Sequence, residues 1–300
     1  MIPSRRRPRR SPGGFTLIEM VVVLFILGIV ISMAAVLTRG VTAAQKRSIT
    51  AARLATVDAA LVQFAQQQRR LPCPADGTRP GTATTAPIPG DEGARTAAGC
   101  TAAGGNYETN GVVPWRMLGL TETDATDGWD HRITYRIDPR LAADSALDMS
   151  WCDAAGSEAP TAPAAPRACT AGCTSTLLTS CTPPLAFLVT KGLTVRNVAG
   201  TVVMDPSGNP NTGAAYVLVS AGETGGGAYL NTGVLGASTL TDGTEEQKNY
   251  ASGSYVSAAL TYYVDDGISD ASGITHFDDV VLRPSLMNVI TRAGLGPRAH

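Results

Sequence analysis

The sequence predicts an α+β fold, in which one long N-terminal helix packs on an antiparallel β-sheet head with long, disulfide-stapled loops. Three observations predict this fold. An apolar run, residues 15–37, continues without proline to residue 71. Short stretches rich in β-branched residues, separated by Gly and Pro, follow in the second half of the chain. Finally, all six Cys lie beyond the apolar run.

The N-terminal part of the chain is interpreted as a basic leader, residues 1–14, followed by a membrane span, residues 15–37. A helix needs about 20 apolar residues to cross a bilayer, and the run is long enough. Five Arg precede it, against three basic residues soon after it. Because the more basic flank stays in the cytoplasm, we expect a single pass through a membrane, with the leader cytoplasmic and the rest of the chain exported.

One charge, Glu19, interrupts the apolar run. A carboxylate within a membrane segment costs roughly 2.5–3.5 kcal/mol on insertion scales, so it marks a functional site by default. We expect another group to partner it.

The helix is expected to continue beyond the span. At 1.5 Å per residue, residues 15–71 would form a helix about 85 Å long. It should end before Pro72, because proline lacks the amide hydrogen that a helix needs. Its second half carries an apolar stripe of only about two heptads, which favours packing on the head over pairing with another chain. The stripe consists of Leu54, Val57, Leu61 and Phe64.

Residues 72–300 are predicted to form the exported globular head. The head is acidic: residues 1–70 hold 11 Lys or Arg against 2 Asp or Glu, a balance of +9, whereas residues 71–300 hold 13 against 23, a balance of −10. Binding to a phosphate backbone needs clustered Lys and Arg. Nucleic acid is therefore not an expected partner.

The head should contain antiparallel β-structure. In residues 131–138, Ile133, Tyr135 and Ile137 alternate with polar residues, which predicts a strand with one buried face. Residues 284–292 are interpreted as a short amphipathic helix. Further strands are predicted at residues 185–190, 194–198, 201–205, 215–221, 254–266 and 275–283, and long loops at 75–106 and 152–184.

The Cys content suggests up to three disulfides, because an even number confined to an exported domain is typical of a disulfide framework. Six Cys allow 15 pairings, among which we prefer Cys73 with Cys100, one near each end of the first long loop. Zinc binding by these cysteines is disfavoured, since no Cys-x-x-Cys motif occurs and the three His are distant from the cysteines in sequence. The disulfide candidates are Cys73, Cys100, Cys152, Cys169, Cys173 and Cys181.

Residues 13–20, Gly-Gly-Phe-Thr-Leu-Ile-Glu-Met, with the basic leader and the apolar run, resemble the class III signal of type IV pilins and type II secretion pseudopilins. The resemblance implies that a membrane-bound prepilin peptidase cuts between Gly14 and Phe15, removes the leader and methylates the new amino terminus. It also implies that Glu19 pairs with the Phe15 amine of a neighbouring subunit. An ordinary signal peptide has its cleavage site after a shorter apolar core, whereas hydropathy alone is equally compatible with an uncleaved anchor.

A turn at residues 127–130, Asp-Gly-Trp-Asp, is followed by a strand that contains Tyr135. This arrangement is similar to an element of major pseudopilins. We expect Trp129 to fill the seam between the sheet and the helix, since a single Trp is more often part of a core than of a binding site.

A calcium site is implied by a second, partial resemblance. The Gly-rich loop 220–227 and the acidic stretch 276–280 partly match a calcium-binding loop and strand of type II pseudopilins. The resemblance implies Glu223, Asp278 and Asp279 as ligands, and calcium prefers six to eight oxygens. A solvated acidic turn is the alternative.

The predicted function is that of a structural subunit, a minor pilin or pseudopilin of a type IV pilus or type II secretion filament. Other pilin subunits and the prepilin peptidase would be its partners, and the filament would lie in the periplasm or at the cell surface. A displayed adhesin that uses the same signal is the alternative. An enzyme is not expected, because neither a phosphate loop nor a Gly-x-Ser-x-Gly elbow occurs in the sequence.

Overall fold

The chain divides into two compact units, Met1–Gln45 and Lys46–His300. The fold is given by a computed structural model. Residues 30–41 and 274 are described by their backbone only, without their side chains. The described residues are 17–101, 111–149, 188, 190–208, 210–236, 243–250, 262–269 and 273–296.

Several predictions concern residues outside these ranges. They are the cleavage residues Gly14 and Phe15, most of the strand at 185–190, residues 254–261 of the strand at 254–266, and the whole loop at 152–184 with the cysteines Cys152, Cys169, Cys173 and Cys181.

The described residues form two α-helices, α1 (Leu17–Gln68) and α2 (Leu286–Arg292). Four short 3-10 helices occupy Thr123–Ala125, Pro139–Ala142, Glu246–Asn249 and Gly273–Thr275. The strands are β1 (Ala75–Asp76), β2 (Arg95–Thr96), β3 (Gly99–Cys100), β4 (Gly111–Val112), β5 (Thr134–Ile137), β6 (Val195–Arg196), β7 (Val202–Met204), β8 (Tyr216–Ser220), β9 (Tyr263–Val264) and β10 (Val280–Leu282).

Helix α1 confirms the predicted long helix and ends at Gln68, three residues before the predicted end. The next residue, Arg69, takes a positive φ of 57°, which turns the chain out of the helix. The predicted apolar stripe is buried in the core of the head, with exposed fractions of 2% for Leu54, 0% for Val57 and Leu61, and 7% for Phe64. The second half of the helix therefore packs on the head.

The central sheet has the strand order β1-β4-β5-β8-β10 among the described residues, and every neighbouring pair is antiparallel. Tyr135 of β5 lies opposite Leu218 of β8, and Val219 of β8 lies opposite Val281 of the edge strand β10. Tyr135 and Leu218 belong to the same apolar cluster as the helical stripe. One face of the sheet thus rests on α1, as the sequence predicts.

The opposite face of the sheet is also buried, which corrects the prediction that β5 has only one buried face. Thr134 and Arg136, on that face, are each 3% exposed. Val217 and Val219 of β8 pack there in a second cluster, with partners from a small sheet of order β7-β6-β9. Alternation within β5 could not reveal this cover, because the covering strands come from distant parts of the sequence.

The turn at residues 127–130 approaches the helix closely. The N–H of Gly128 donates to Oγ1 of Thr50 at 2.9 Å. A Cβ on Gly128 would lie 2.4 Å from the carbonyl oxygen of Lys46, so only glycine fits this contact. Trp129 is partly exposed, and its ring centroid lies 5.9 Å from Nζ of Lys46. The expectation that Trp129 fills the seam was therefore wrong.

The first long loop is closed by the Cys73–Cys100 disulfide, which confirms the preferred pair. The loop is less irregular than predicted, because β2 and β3 form a hairpin within it. Glu92 fixes its base by accepting hydrogen bonds from the Cys73 N–H at 2.8 Å and from both terminal nitrogens of Arg70. The loop is thus held by a covalent bond and a buried ion pair.

Candidate functional site

The first functional region is the beginning of α1, residues 17–29. All of its described side chains are exposed, and the most exposed large apolar ones are Leu17 at 84%, Ile18 at 72% and Phe25 at 69%. A helix that is apolar all round is normally buried in a membrane or among other helices. This segment therefore presents a surface that another apolar partner must cover.

Glu19 lies in the first turn of this helix and is exposed. A carboxylate at a helix N-terminus interacts favourably with the helix dipole, by about 0.3–1 kcal/mol. The predicted pair with the Phe15 amine stays a prediction, because Phe15 lies outside the described residues.

Within the described part of the chain, no helix includes a stretch long and apolar enough to cross a membrane. The predicted span covers residues 15–37. Residues 15 and 16 are outside the described part of the chain, and so are the side chains of residues 30–37.

The second region brings together three chain segments in the head. They are the Gly-rich loop after β8, the 3-10 helix Glu246–Asn249, and the residues just before β10. Asp278 connects the first to the last, because its Oδ2 accepts the N–H groups of Glu223 at 2.8 Å and Thr224 at 3.0 Å. Gly222 lets the loop come this close, since a Cβ there would lie 2.5 Å from the carbonyl oxygen of Asp278.

Glu246 is the centre of this region and is 1% exposed. Its Oε1 accepts the N–H of Asp278 at 2.9 Å, and its Oε2 accepts the N–H of Gly243 at 3.0 Å. Nδ1 of His276 also lies 3.0 Å from Oε2. Burial, together with the Asp278 side chain, raises the pKa of Glu246 to about 7. A carboxyl group held in this way can take up a proton or interact with a cation.

The three predicted calcium ligands occupy different positions. Asp278 is buried, whereas the Glu223 side chain is exposed. Asp279 is buried, and its Oδ2 accepts Nδ2 of Asn249 at 2.8 Å. Among the described residues, Asp278 belongs to a group whose ligand atoms could share a metal ion, but Glu223 and Asp279 do not belong to it. The donor set at these three residues therefore fits calcium poorly.

Sequence reasoning named neither Glu246 nor His276 as a candidate ligand. The group that could hold a metal ion among the described residues consists of Glu246, His276 and Asp278. His276 and Asp278 are two residues apart, a spacing that places side chains on the same side of an extended chain. That spacing was the signal available in the sequence. No pattern in the sequence indicated Glu246, because it lies 30 residues before His276.

Comparison with known proteins gives one finding, at the N-terminus. The family model described as "Prokaryotic N-terminal methylation motif" matches residues 9–35. No curated protein and no solved structure matches the chain. The match includes the predicted cleavage site, Glu19 and the exposed apolar beginning of α1.

The methylation motif implies processing by a prepilin peptidase and an inner-membrane-anchored precursor that is assembled into a filament. The fold agrees with this, since the long helix packs on an antiparallel sheet with a disulfide-closed loop. The chain thus carries a prepilin-type N-terminal signal on a pilin-like α+β architecture.

Proposed function

We propose that this protein is a minor pilin or pseudopilin, a structural subunit that enters a type IV pilus or a type II secretion filament through its N-terminal helix. The observation that carries this proposal is the methylation motif at residues 9–35. It is supported by the exposed apolar side chains of residues 17–29. In a filament these side chains would pack against the helices of neighbouring subunits.

In our proposal, Glu19 determines the axial offset at which the helices of neighbouring subunits pack. A charge in an apolar helix bundle is costly unless an opposite charge pairs with it. The amine that cleavage creates at Phe15 would supply that charge from a neighbouring subunit. Correct pairing would then occur at only one axial offset between two helices.

A minor subunit is favoured over a major one by the size of the head. The predicted head, residues 72–300, is large for a subunit that must repeat along a whole filament. Its acidic balance of −10 over residues 71–300 also argues against a filament that binds DNA.

The first test is the mass of the mature amino terminus, measured on the full chain purified from its own host. We expect a chain that begins with methylated Phe15. A chain that keeps Met1 would refute the proposal. Gly14→Val should block cleavage and leave the full-length precursor in the membrane.

The second test concerns assembly. Glu19→Val should insert and be cleaved normally, but should be at least about 10-fold depleted in sheared filaments, because the Phe15 amine loses its partner. Val21→Leu, a change of similar size on the same exposed segment, is the matched control and should assemble like the wild type. Normal incorporation of Glu19→Val would contradict the proposed register.

Deletion of the gene separates this role from that of a displayed adhesin. Loss of filaments or of secretion supports a subunit that builds the filament. Intact filaments that no longer attach to a surface would instead support the adhesin.

A further inference from the structure

We infer that Glu246, His276 and Asp278 form a binding site for a divalent metal ion of the zinc class, which takes mixed nitrogen and oxygen ligands. Each residue offers one ligand atom, and these three atoms all lie within 4.8 Å of one another. Oε2 of Glu246 and Nδ1 of His276 lie 3.0 Å apart. This site does not depend on the proposed role in a filament.

The spacing of the ligand atoms suits a small ion. Zinc binds nitrogen and oxygen at about 2.0–2.2 Å in tetrahedral geometry, which places its ligand atoms about 3.3–3.5 Å apart. Ligand atoms within 4.8 Å of one another would need side-chain shifts of about 1 Å to reach this spacing. An imidazole and two carboxylates are also ligands that zinc prefers, whereas calcium requires more oxygens than this cluster provides.

The backbone around the cluster orients the two carboxylates. Glu246 receives the N–H groups of Gly243 and Asp278, and Asp278 receives those of Glu223 and Thr224. Hydrogen bonds of this kind fix the orientation of ligating carboxylates in metal sites. The cluster is therefore arranged in advance, and an ion would find its ligands already close together.

The cluster is not completely buried, so an ion can reach it from solvent. The side chains of Glu246 and His276 are 1% and 14% exposed, respectively. A partly exposed imidazole beside a buried carboxylate allows the ion to reach the site from solvent. Three protein ligands also leave a fourth position for water or for a group of another molecule.

Binding would tie three segments of the head together. The 3-10 helix Glu246–Asn249 would be joined through the ion to the residues that precede β10, and Asp278 already holds the Gly-rich loop. Since an ion that binds only the folded chain stabilises it, we expect the stability of the head to depend on the metal.

The test uses the full, untagged chain in detergent, stripped of metal with a chelator. Cobalt(II) serves as a probe, because its visible absorption reports a four-coordinate site with nitrogen and oxygen ligands. We expect one equivalent of cobalt to give this absorption and one equivalent of zinc to remove it. With zinc at 100 times its Kd, Tm should rise by about 5–10 °C. Calcium at the same excess should leave Tm unchanged.

Two variants make the test specific. His276→Gln, at the least buried ligand, should weaken zinc binding at least about 10-fold and abolish the cobalt absorption. Glu245→Gln, beside Glu246 but outside the cluster, is the matched control and should change zinc affinity less than about 2-fold. The inference is overturned if the wild type gives no cobalt absorption, if His276→Gln binds zinc as tightly as the wild type, or if calcium competes equally with zinc.

Discussion

The carboxylate of Asp127 accepts a hydrogen bond from the Ser220 hydroxyl at 2.6 Å, across 93 residues of sequence. Asp127 is fully buried, and its other oxygen accepts the N–H groups of Trp129 at 2.8 Å and His131 at 2.9 Å. The turn that precedes β5 is thereby fixed to the end of β8. Asp127, and not Trp129, is the residue that organises this turn.

Replacing Asp127 should therefore destabilise the head strongly. Asp127→Ala leaves the buried Ser220 hydroxyl and the part-buried N–H groups of Trp129 and His131 without their acceptor, and each unsatisfied buried group costs about 1–3 kcal/mol. We expect the free energy of unfolding to fall by about 3–5 kcal/mol, measured by urea denaturation of the full chain in detergent. Asp91→Ala, which removes only a surface pair with Arg116, is the control and should cost less than about 1 kcal/mol. A similar loss of unfolding free energy in both variants would contradict the prediction that the buried Asp127 carboxylate stabilises the head more than the exposed Asp91 carboxylate does.

Asp58 of α1 connects the helix to the sheet and to α2. Its Oδ1 accepts the Tyr216 hydroxyl at 2.5 Å, and its Oδ2 accepts Nη2 of Arg292 at 2.7 Å. Burial, followed by the charge of Asp58, raises the pKa of Tyr216 well above its ordinary value of 10.0. The phenol thus stays protonated in the folded chain at pH values where it ionises in the unfolded chain.

This pKa difference gives stability a dependence on alkaline pH. Because the folded state retains a proton that the unfolded state loses, the contribution is complete below pH 10 and declines as pH rises above it. Tyr216 should contribute a slope of about 1.4 kcal/mol per pH unit in this range. Tyr216→Phe should flatten the measured slope by that amount above about pH 11, where the phenol of the unfolded chain is almost fully ionised. An unchanged slope would mean that the phenol ionises in the folded chain.

Arg132 should be essential for anchoring the first long loop. Its side chain is fully buried, and it donates to the carbonyl oxygens of Gly77 at 2.9 Å and Arg79 at 2.7 Å while pairing with Glu122. Lysine cannot reproduce this planar set of donors. Arg132→Lys should therefore cost about 3 kcal/mol or more in urea denaturation and expose the loop to proteolysis.

The control for this prediction is Arg116→Lys, because Arg116 forms an ion pair in which both side chains are largely exposed, at 53% and 41%. This change should cost less than about 1 kcal/mol. The role assigned to Arg132 would be contradicted if the loop remained resistant to protease in Arg132→Lys.

The Cys73–Cys100 disulfide should stabilise the head chiefly by restricting the unfolded chain. With the two cysteines separated by 27 positions in sequence, loop-closure entropy predicts a contribution of about 3.5 kcal/mol. The double variant Cys73→Ser/Cys100→Ser should lose about this much free energy of unfolding in oxidising buffer. Dithiothreitol should destabilise the wild type more than the double variant, by about the contribution of this disulfide, and equal sensitivity of both chains would contradict the prediction.

Much of the local structure was predictable, because it depends on residues close together in sequence. Helix α1 follows from a long stretch without proline, and the burial of Leu54, Val57 and Leu61 follows from their spacing. Helix α2 was predicted as an amphipathic helix, and its buried residues, Leu286, Val289 and Ile290, lie on one face. The N-terminal methylation motif is likewise a contiguous pattern.

The cover on the second face of the sheet was not predictable in this way. The alternation in β5 indicates which residues share a face, but the burial of Arg136 depends on strands that begin at Val195 and Tyr263. How the chain connects these distant segments determines whether the polar face of a strand contacts solvent or other strands.

The sequence by itself determined that this protein carries a prepilin-type signal, a long helix with Glu19 in its first turn, and a preferred disulfide across the first loop. Only the tertiary structure decided which polar groups meet, as Asp127 meets Ser220 and Glu246 meets His276. The physical reason is the distance in sequence over which each feature is determined. Helical periodicity and cleavage motifs act over a few residues, whereas a buried carboxylate takes its partners from whichever distant segments the folded backbone brings within about 3 Å.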